Sequence, residues 1–174
     1  PKDIIPSANL HHELDFNVTW DFGTVEPGTY SSILKNTLEN TGNKDLAKIE
    51  LLRPALRKSL TEIIAGSNLN IVQTLPLSAA VNNSVAIDAQ LYIPYFQPAG
   101  TYIATMTIYE DHRFTDTFET DYPHRLALAR VNVPAIARAI VTNEIDFGVV
   151  AAGTTSAVKT IEYTGTGNTN LTDL

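Results

Sequence analysis

One stretch of this chain occurs twice. Residues 21–46 read DFGTVEPGTYSSILKNTLENTGNKDL, and residues 146–171 read DFGVVAAGTTSAVKTIEYTGTGNTNL, at a constant offset of 125 positions and without a gap. The two copies are identical at 11 of 26 positions. Similarity at a fixed offset is typical of a repeated structural unit, and it constrains the fold more than any other feature here. We therefore expect one complete structural unit followed by the beginning of a second.

Short segments of alternating apolar and polar residues, separated by turn residues, run through the chain. Leu14, Phe16, Val18 and Trp20 recur at every second position, and residues 84–93 alternate in the same way. Alternation of this kind indicates half-buried β-strands. About seven short strands within about 120 residues are typical of an immunoglobulin-like sandwich. We predict an all-β, antiparallel, immunoglobulin-like β-sandwich over residues 13–140, and the first strands of another over residues 141–174.

One segment departs from this pattern. Between residues 53 and 66 the apolar residues fall at helical spacing, at Leu56, Leu60, Ile63 and Ile64. Pro54 suits the first turn of a helix and Gly66 suits its end. The spacing predicts one short helix, with a strand over residues 60–65 as the alternative. Residues 76–83 and 112–123 are predicted to be loops.

Composition excludes several classes of function. The apolar fraction of 44% is that of a folded globular protein, and the formal net charge of −7 opposes binding to nucleic acid or to anionic lipid. The chain contains no cysteine, so disulfides, thiolate nucleophiles and cysteine-based zinc sites are absent. It also lacks an apolar run long enough to span a bilayer, and we expect no direct membrane insertion.

The repeated motif resembles a known family. Asp-Phe-Gly, a following Gly-Thr, an apolar strand, Asn-Thr-Gly-Asn and a leucine cover residues 20–52, and the Pro-Ala-Gly-Thr-Tyr of residues 98–102 fits the same pattern. These motifs resemble immunoglobulin-like domains of the abnormal-spindle/Hydin type, which include the choice-of-anchor-like modules of bacterial and archaeal surface proteins. The second copy departs from the motif at Gly165, which stands where the first copy has Asn40.

The resemblance implies a β-sandwich that serves as a spacer or interaction module. It implies no catalytic residues, because the shared motif residues are structural. Phe22 is expected in the core between the sheets. Tyr102 takes the place of a tyrosine corner, in which the phenolic hydroxyl binds a nearby backbone group.

An acidic loop is the strongest candidate for a metal site. Its weak candidate ligands are Asp111, His112, Asp116 and Asp121, with Glu110, Glu119 and His124 close by in sequence. Oxygen and imidazole groups together bind divalent cations, but this spacing matches neither an EF-hand nor a zinc motif. A solvated loop explains the composition equally well, and we predict no metal. The same loop is the best sequence candidate for contact with a partner.

Other candidate sites have simpler explanations. His11 and His12 are adjacent, so they would point to opposite faces of a strand. The aromatic side chains of Tyr92, Tyr95 and Phe96 are candidates for a sugar-binding strip, although we favour a core and edge role for them. Residues 165–167 contain two glycines but lack the rest of a dinucleotide loop. We predict no catalytic residue and no cofactor.

The function most consistent with these features is a non-enzymatic structural, adhesive or spacer module of a surface or secreted protein. Its partners would be other proteins or neighbouring immunoglobulin-like repeats. Residues 141–174 are either a truncated second repeat or a strand-exchange tail. The second case leads to an alternative function, a fibre or pilus-like subunit that forms homo-oligomers by donor-strand exchange. A further alternative is a cytoplasmic interaction domain associated with the cytoskeleton or a cilium.

Overall fold

The computed structural model describes residues 14–15, 19–110, 124–141 and 144–170, and these residues form a nearly all-β structure. One short 3₁₀ turn spans Gly66–Asn68. The strands in chain order are β1 (Leu14–Asp15), β2 (Thr19–Thr24), β3 (Thr37–Asn40), β4 (Leu46–Leu52), β5 (Leu56–Arg57), β6 (Ile63–Ile64), β7 (Leu69–Ile71), β8 (Leu77–Ala79), β9 (Ser84–Ala86), β10 (Ala89–Leu91), β11 (Gly100–Glu110), β12 (His124–Val133), β13 (Ala139–Val141) and β14 (Tyr163–Gly165).

The larger layer is a seven-stranded sheet. Its main order is β2-β12-β11-β4-β8, and β5 and β6 extend it beside β11. The long antiparallel pair β11–β12 runs from Gly100 opposite Val133 to Tyr109 opposite His124. Strand β2 joins this sheet in parallel with β12, so that Trp20 lies opposite Ala129.

The second layer consists of β1-β3-β9 and β10-β7. Isolated bridges at Tyr30–Tyr92 and Leu34–Ala89 connect the segment that leads into β3 with the segment that contains β10. The predicted all-β, immunoglobulin-like β-sandwich is therefore confirmed for the described residues. Its strands are antiparallel except for the β2–β12 pair.

Apolar side chains from both layers form the core. In β11 every second residue points inwards and is buried: Tyr102, Ala104, Met106 and Ile108. Trp20 and Leu38 contribute from β2 and β3, and Phe22 is also buried, as predicted. Complete burial of each large apolar side chain stabilises the fold by roughly 1.5–3 kcal/mol.

The predicted short helix is wrong. Residues 56–64 form a β-hairpin in which Leu56 lies opposite Ile64, with both side chains buried. Leu60, which the helical pattern placed on the apolar face, is 90% exposed near the tip of the hairpin. A Cβ on Gly66 would lie 1.9 Å from the carbonyl oxygen of Arg53, so the glycine permits a close backbone approach and does not end a helix. The alternative prediction, a strand over residues 60–65, is correct only for β6.

The predicted loop over residues 76–83 contains a strand. In β8, Leu77 and Ala79 are buried and lie opposite Ile49 and Leu46 of β4. A three-residue strand with two inward side chains adds an edge to the larger sheet. A strand of three residues is too short for its alternation of apolar and polar residues to be recognised in the sequence.

The carboxyl-terminal strands reproduce a pairing from the amino-terminal part of the chain. Ala139 lies opposite Gly165 in the β13–β14 pair, and Leu14 lies opposite Asn40 in the β1–β3 pair. Both partners are displaced by 125 positions, which is the offset of the repeated sequence. The next pairs show the same displacement, since Asp15 lies opposite Glu39 and Ile140 lies opposite Thr164.

Candidate interaction site

The two copies form the same tight bend at Asp-Phe-Gly. The backbone N–H of Gly23 donates to Oδ1 of Asp21 at 2.9 Å, and that of Gly148 donates to Oδ1 of Asp146 at 2.7 Å. Both glycines adopt a left-handed backbone, with φ of +66° and +67°. An L side chain is disfavoured at such a φ, which explains the glycine.

The next turn is also shared. The hydroxyl of Thr29 donates to the carbonyl oxygen of Glu26 at 2.8 Å, and that of Thr154 donates to the carbonyl oxygen of Ala151 at 2.7 Å. The glycines before these threonines again have positive φ. The repeated sequence therefore determines the same local structure in both places.

Segments from both copies meet at one end of the sandwich, which we call the junction. It consists of the turn at residues 26–29, the loop at 94–98, the segment 134–138 after β12, and the turn at 166–168 after β14.

Asn168 is the main hydrogen-bonding residue of the junction. Its side-chain amide Nδ2 donates to the carbonyl oxygens of Gln97 and Pro134, each at 2.9 Å. Its Oδ1 accepts from the backbone N–H of Ile136 at 2.7 Å, and its own N–H donates to the carbonyl oxygen of Ile136 at 3.0 Å. One side chain from the second copy thus contacts both the loop at 94–98 and the segment after β12.

Two further features fix the junction. Arg138 and Glu26 form an ion pair with a 2.8 Å N–O distance, on side chains that are about half exposed. A Cβ on Gly167 would lie 2.0 Å from the carbonyl oxygen of Ile136, so only glycine allows this approach. An exposed ion pair contributes about 0–1 kcal/mol to stability. We therefore expect the backbone contacts and the hydrogen bonds of Asn168 to stabilise the junction more than this ion pair does.

Exposed aromatic side chains lie beside the junction. Tyr95 and Phe96 are 68% and 73% exposed, and the ring of Tyr95 lies against Gly28. Tyr30 is exposed and packs on half-buried Tyr92, with 4.9 Å between ring centroids. The core part of the expected core and edge role is therefore wrong for Tyr95 and Phe96, which lie on the surface. We call the three exposed rings, Tyr30, Tyr95 and Phe96, the aromatic surface; Tyr95 and Phe96 lie in the loop at 94–98 that also carries an acceptor of Asn168.

The apolar residues of the second copy are more exposed than their counterparts. Phe147 is 53% exposed, whereas Phe22 is 7% exposed. Tyr163 is 50% exposed, and its counterpart Leu38 is fully buried. Side chains that form the core in the first copy thus remain largely uncovered in the second.

The candidate metal ligands Asp111, His112, Asp116 and Asp121 lie outside the described residues, as do His11 and His12. Glu110, which precedes that loop, is buried and accepts a hydrogen bond from the backbone N–H of Ala47 at 2.8 Å. Elsewhere in the described ranges, no three histidine or acidic side chains gather into a group suited to a metal ion. The described residues also contain no helix with the length and apolarity to cross a membrane.

Sequence reasoning missed the junction residues Gln97, Arg138 and Glu26. Asn168 was visible only as an identity with Asn43. The one sequence signal for a difference between the copies near this turn was Gly165, which replaces the Asn40 of the first copy. Asn40, its counterpart, donates from Nδ2 to the carbonyl oxygens of Lys44 and Ala79, and glycine cannot make these bonds.

Comparison with known proteins gives the fold and no family. No protein-family model and no curated protein sequence matches this chain. A family 123 glycoside hydrolase from Clostridium perfringens matches with a TM-score of 0.54 and 10% identity, over 73% of this chain and 27% of that one. The ASH / PapD-like domain 7 of human CEP192 matches with a TM-score of 0.50 and 15% identity, over 71% of this chain and 84% of that domain.

The secreted serine protease VesC of Vibrio cholerae is also similar, with a TM-score of 0.45 and 18% identity over 71% of this chain. The chain spans only about a quarter of the two enzymes, 27% of the hydrolase and 24% of the protease. At such low identities the comparisons define a class of fold, the immunoglobulin-like type of β-sandwich that includes PapD-like domains. The fold alone assigns no chemistry and no function.

Proposed function

We propose that this chain is a non-enzymatic spacer and interaction module in which successive immunoglobulin-like sandwiches are held end to end. One sandwich lies within residues 13–138, and the next begins with β13, whose pairing with β14 repeats the register of β1 with β3. The observation that carries the proposal is the pair of hydrogen bonds from Asn168 of the second copy to Gln97 and Pro134. They connect the start of one unit to the end of the preceding one.

The mechanism is mechanical. Each contact of Asn168 is made to a backbone group, whose position is determined by the fold of the first sandwich and the segment that follows it. The close approach at Gly167 and the ion pair of Arg138 with Glu26 add constraints on the same segments. A junction restrained at several points transmits force and orientation better than a flexible linker does.

The location and family are part of the same proposal. The motif resemblance of residues 20–52 to abnormal-spindle/Hydin-type domains supports a spacer role, and its choice-of-anchor branch supports a surface or secreted protein. The net charge of −7 suits a soluble module with protein partners. The exposed aromatic surface at Tyr30, Tyr95 and Phe96 supplies contact area beside the junction.

Distance measurements between spin labels test the rigidity of the junction. The chain has no cysteine, so Ser32→Cys and Lys159→Cys, both at exposed positions, place one label in each copy. We expect a single narrow distance distribution, broadened by Asn168→Ala and unchanged by the control Asn170→Ala, whose side chain is exposed. A label pair at residues 32 and 105, within the first sandwich, should stay narrow in all variants. A broad distribution between the copies in the parent chain would overturn the proposal.

A further inference from the structure

The outer face of the larger sheet carries large apolar side chains that the fold leaves uncovered. Five of them are between 40% and 60% exposed: Leu52, Ile63, Ile103, Leu126 and Leu128. All five lie on strands of the first sandwich, beside residues that point into its core. None of them belongs to the second copy or to the junction, so their exposure is a property of the first sandwich by itself. Contiguous exposed apolar groups of this kind are typical of a protein interface.

The register of the strands arranges this face in four rows that cross the sheet. The rows are, in order along β11, Glu50 and Tyr109; Leu52, Thr107 and Leu126; Thr105, Leu128 and Thr19; and Ile63, Arg57, Ile103, Arg130 and Asp21. Residues that lie opposite each other in neighbouring strands share a face of the sheet. The two inner rows consist of leucine and threonine, and the first and fourth rows carry the charges.

Two of these charged side chains lack a counter-ion among the described residues. Glu50 makes no ion pair or side-chain hydrogen bond there, and the one such bond of Arg57 is to the carbonyl oxygen of Leu60 at 3.5 Å. The residues opposite them on β11, Tyr109 and Ile103, are six positions apart. Because a strand rises by about 3.3 Å per residue, Glu50 and Arg57 are roughly 20 Å apart and do not pair within one molecule.

The first and fourth rows complement each other between two molecules. When two such faces meet about a two-fold axis that crosses the strands between Thr105 and Thr107, the first row of each molecule faces the fourth row of the other. Arg57 of one molecule then faces Glu50 of the other, and the symmetry produces this contact twice. An axis parallel to β11 would instead place Arg57 against Arg130, since these two residues lie on either side of Ile103.

The apolar groups match about the same axis. The second row of each molecule faces the third row of the other, so that Leu126 meets Leu128. Ile103 in the fourth row meets the ring of Tyr109 in the first. The centre of the contact is therefore apolar and its charges lie towards the margin, as in specific protein interfaces.

We propose that the outer face of the larger sheet binds the same face of a second molecule of this chain, with the strands of the two sheets antiparallel. Sheets that pack face to face cross at about 30°, and the long side chains of Arg57 and Glu50 accommodate that rotation. Five strands and four rows cover roughly 20 by 20 Å, so two faces bury about 1,000 Å². This area is at the lower limit for a specific interface, and we expect a dimer that forms at micromolar concentration or above.

Face pairing goes beyond the proposed function and does not depend on it. The dimer rests on the first sandwich alone, whereas the spacer function rests on Asn168 of the second copy. A flexible junction in a chain that dimerises would contradict only the spacer function. A rigid junction in a chain that stays monomeric would contradict only the dimer.

Sedimentation equilibrium of the full chain tests the pairing. From micromolar to submillimolar concentration, the apparent mass should rise from that of one chain towards twice that value. Leu126→Asp should raise the dissociation constant of the dimer by about tenfold or more, which corresponds to about 1.4 kcal/mol. The matched control Val72→Asp, at a similarly exposed apolar position that follows β7 in the other layer, should leave the constant unchanged.

Exchange of the two charges tests the position of the axis. Glu50→Arg alone places two cations opposite each other, and Arg57→Glu alone places two anions there, so each should weaken the dimer severalfold. The double variant restores opposite charges and should recover the affinity of the parent chain. A role of either residue in folding alone would not produce this recovery.

Four results would overturn the proposal. They are the mass of a single chain at every concentration, equal weakening by Leu126→Asp and Val72→Asp, a double charge variant that binds no better than the single ones, and species larger than a dimer that persist in Leu126→Asp. The last result would indicate strand exchange in place of face pairing. The fluorescence of Trp20, the only tryptophan, reports on the first sandwich and should be unchanged in every variant, so that misfolding is recognised.

Discussion

Tyr102 donates a hydrogen bond from its phenolic hydroxyl to the carbonyl oxygen of Pro98, at 2.8 Å. The ring is fully buried near the start of β11, four residues after the carbonyl that it binds. This is the arrangement of a tyrosine corner, and it confirms the role that the sequence predicted for Tyr102. The bond fixes the loop at 94–98, which carries both the aromatic surface and the acceptor for Asn168.

Replacing this tyrosine should measurably destabilise the sandwich. Tyr102→Phe removes the hydroxyl but keeps the ring, so the carbonyl of Pro98 loses its donor. We expect the free energy of unfolding to fall by about 1–2 kcal/mol. Urea denaturation followed by Trp20 fluorescence measures it. The control Tyr163→Phe, at a half-exposed position, should have no effect, and equal stability of the two variants would show that the corner contributes nothing.

The ring of Tyr95 should make Gly28 harder to replace than Gly23. Both glycines have positive φ, so alanine strains the backbone by about 1–2 kcal/mol at either position. A Cβ on Gly28 would also lie 2.5 Å from the Tyr95 ring, whereas a Cβ on Gly23 meets nothing within 4 Å. We expect Gly28→Ala to destabilise more than Gly23→Ala in thermal unfolding.

A double-mutant cycle identifies the cause of that difference. In the Gly28→Ala background, Tyr95→Ala should remove the additional destabilisation relative to Gly23→Ala and leave only the part caused by backbone strain. An excess that persists without the ring would contradict the contact between Tyr95 and Gly28.

The hairpin of β5 and β6 should be sensitive at one apolar position and insensitive at another. Ile64 is fully buried opposite Leu56, so Ile64→Ala should lower the free energy of unfolding by about 2–5 kcal/mol. Leu60 is 90% exposed, and Leu60→Ala should change it by less than about 0.5 kcal/mol. Chemical denaturation of both variants makes the comparison. Equal losses at the two positions would favour the helical pattern over the hairpin.

Divalent cations should not stabilise the chain. The sequence of the acidic loop matches no established metal motif, and we predict that it binds none. Calcium or zinc at about 100 times a dissociation constant would raise the stability by about 2.7 kcal/mol if a site were present. Thermal unfolding with and without each cation is therefore decisive. A rise in melting temperature that is lost in Asp116→Asn would show that the loop is a metal site.

The sequence predicted the long strands because their side chains alternate over many residues. In β11 the alternation includes Tyr102 and Ile108, and the alternating residues 84–93 contain β9 and β10. The helix prediction failed because Leu56 and Ile64, eight residues apart, also become neighbours when a hairpin brings the chain back. Helical spacing over so few residues does not distinguish the two structures.

The junction was not predictable from local patterns. Gln97 and Asn168 are 71 positions apart, and the acceptor on Gln97 is a backbone carbonyl, which any residue carries. Arg138 and Glu26 are separated by 112 positions. Only the strand pairing of the whole fold brings these groups together, so a single sequence marks Asn168 as repeated but does not identify its partners.

The different core residues of the two copies have a consequence for assembly. Where the first copy has Trp20 and Leu38, the second has Ile145 and Tyr163, so the side chains at equivalent core positions differ in volume and shape. Neighbouring molecules that exchanged equivalent strands during synthesis would meet a poor fit. Sequence divergence between adjacent units therefore disfavours domain swapping between copies of such a chain, which becomes more frequent as the units become more similar.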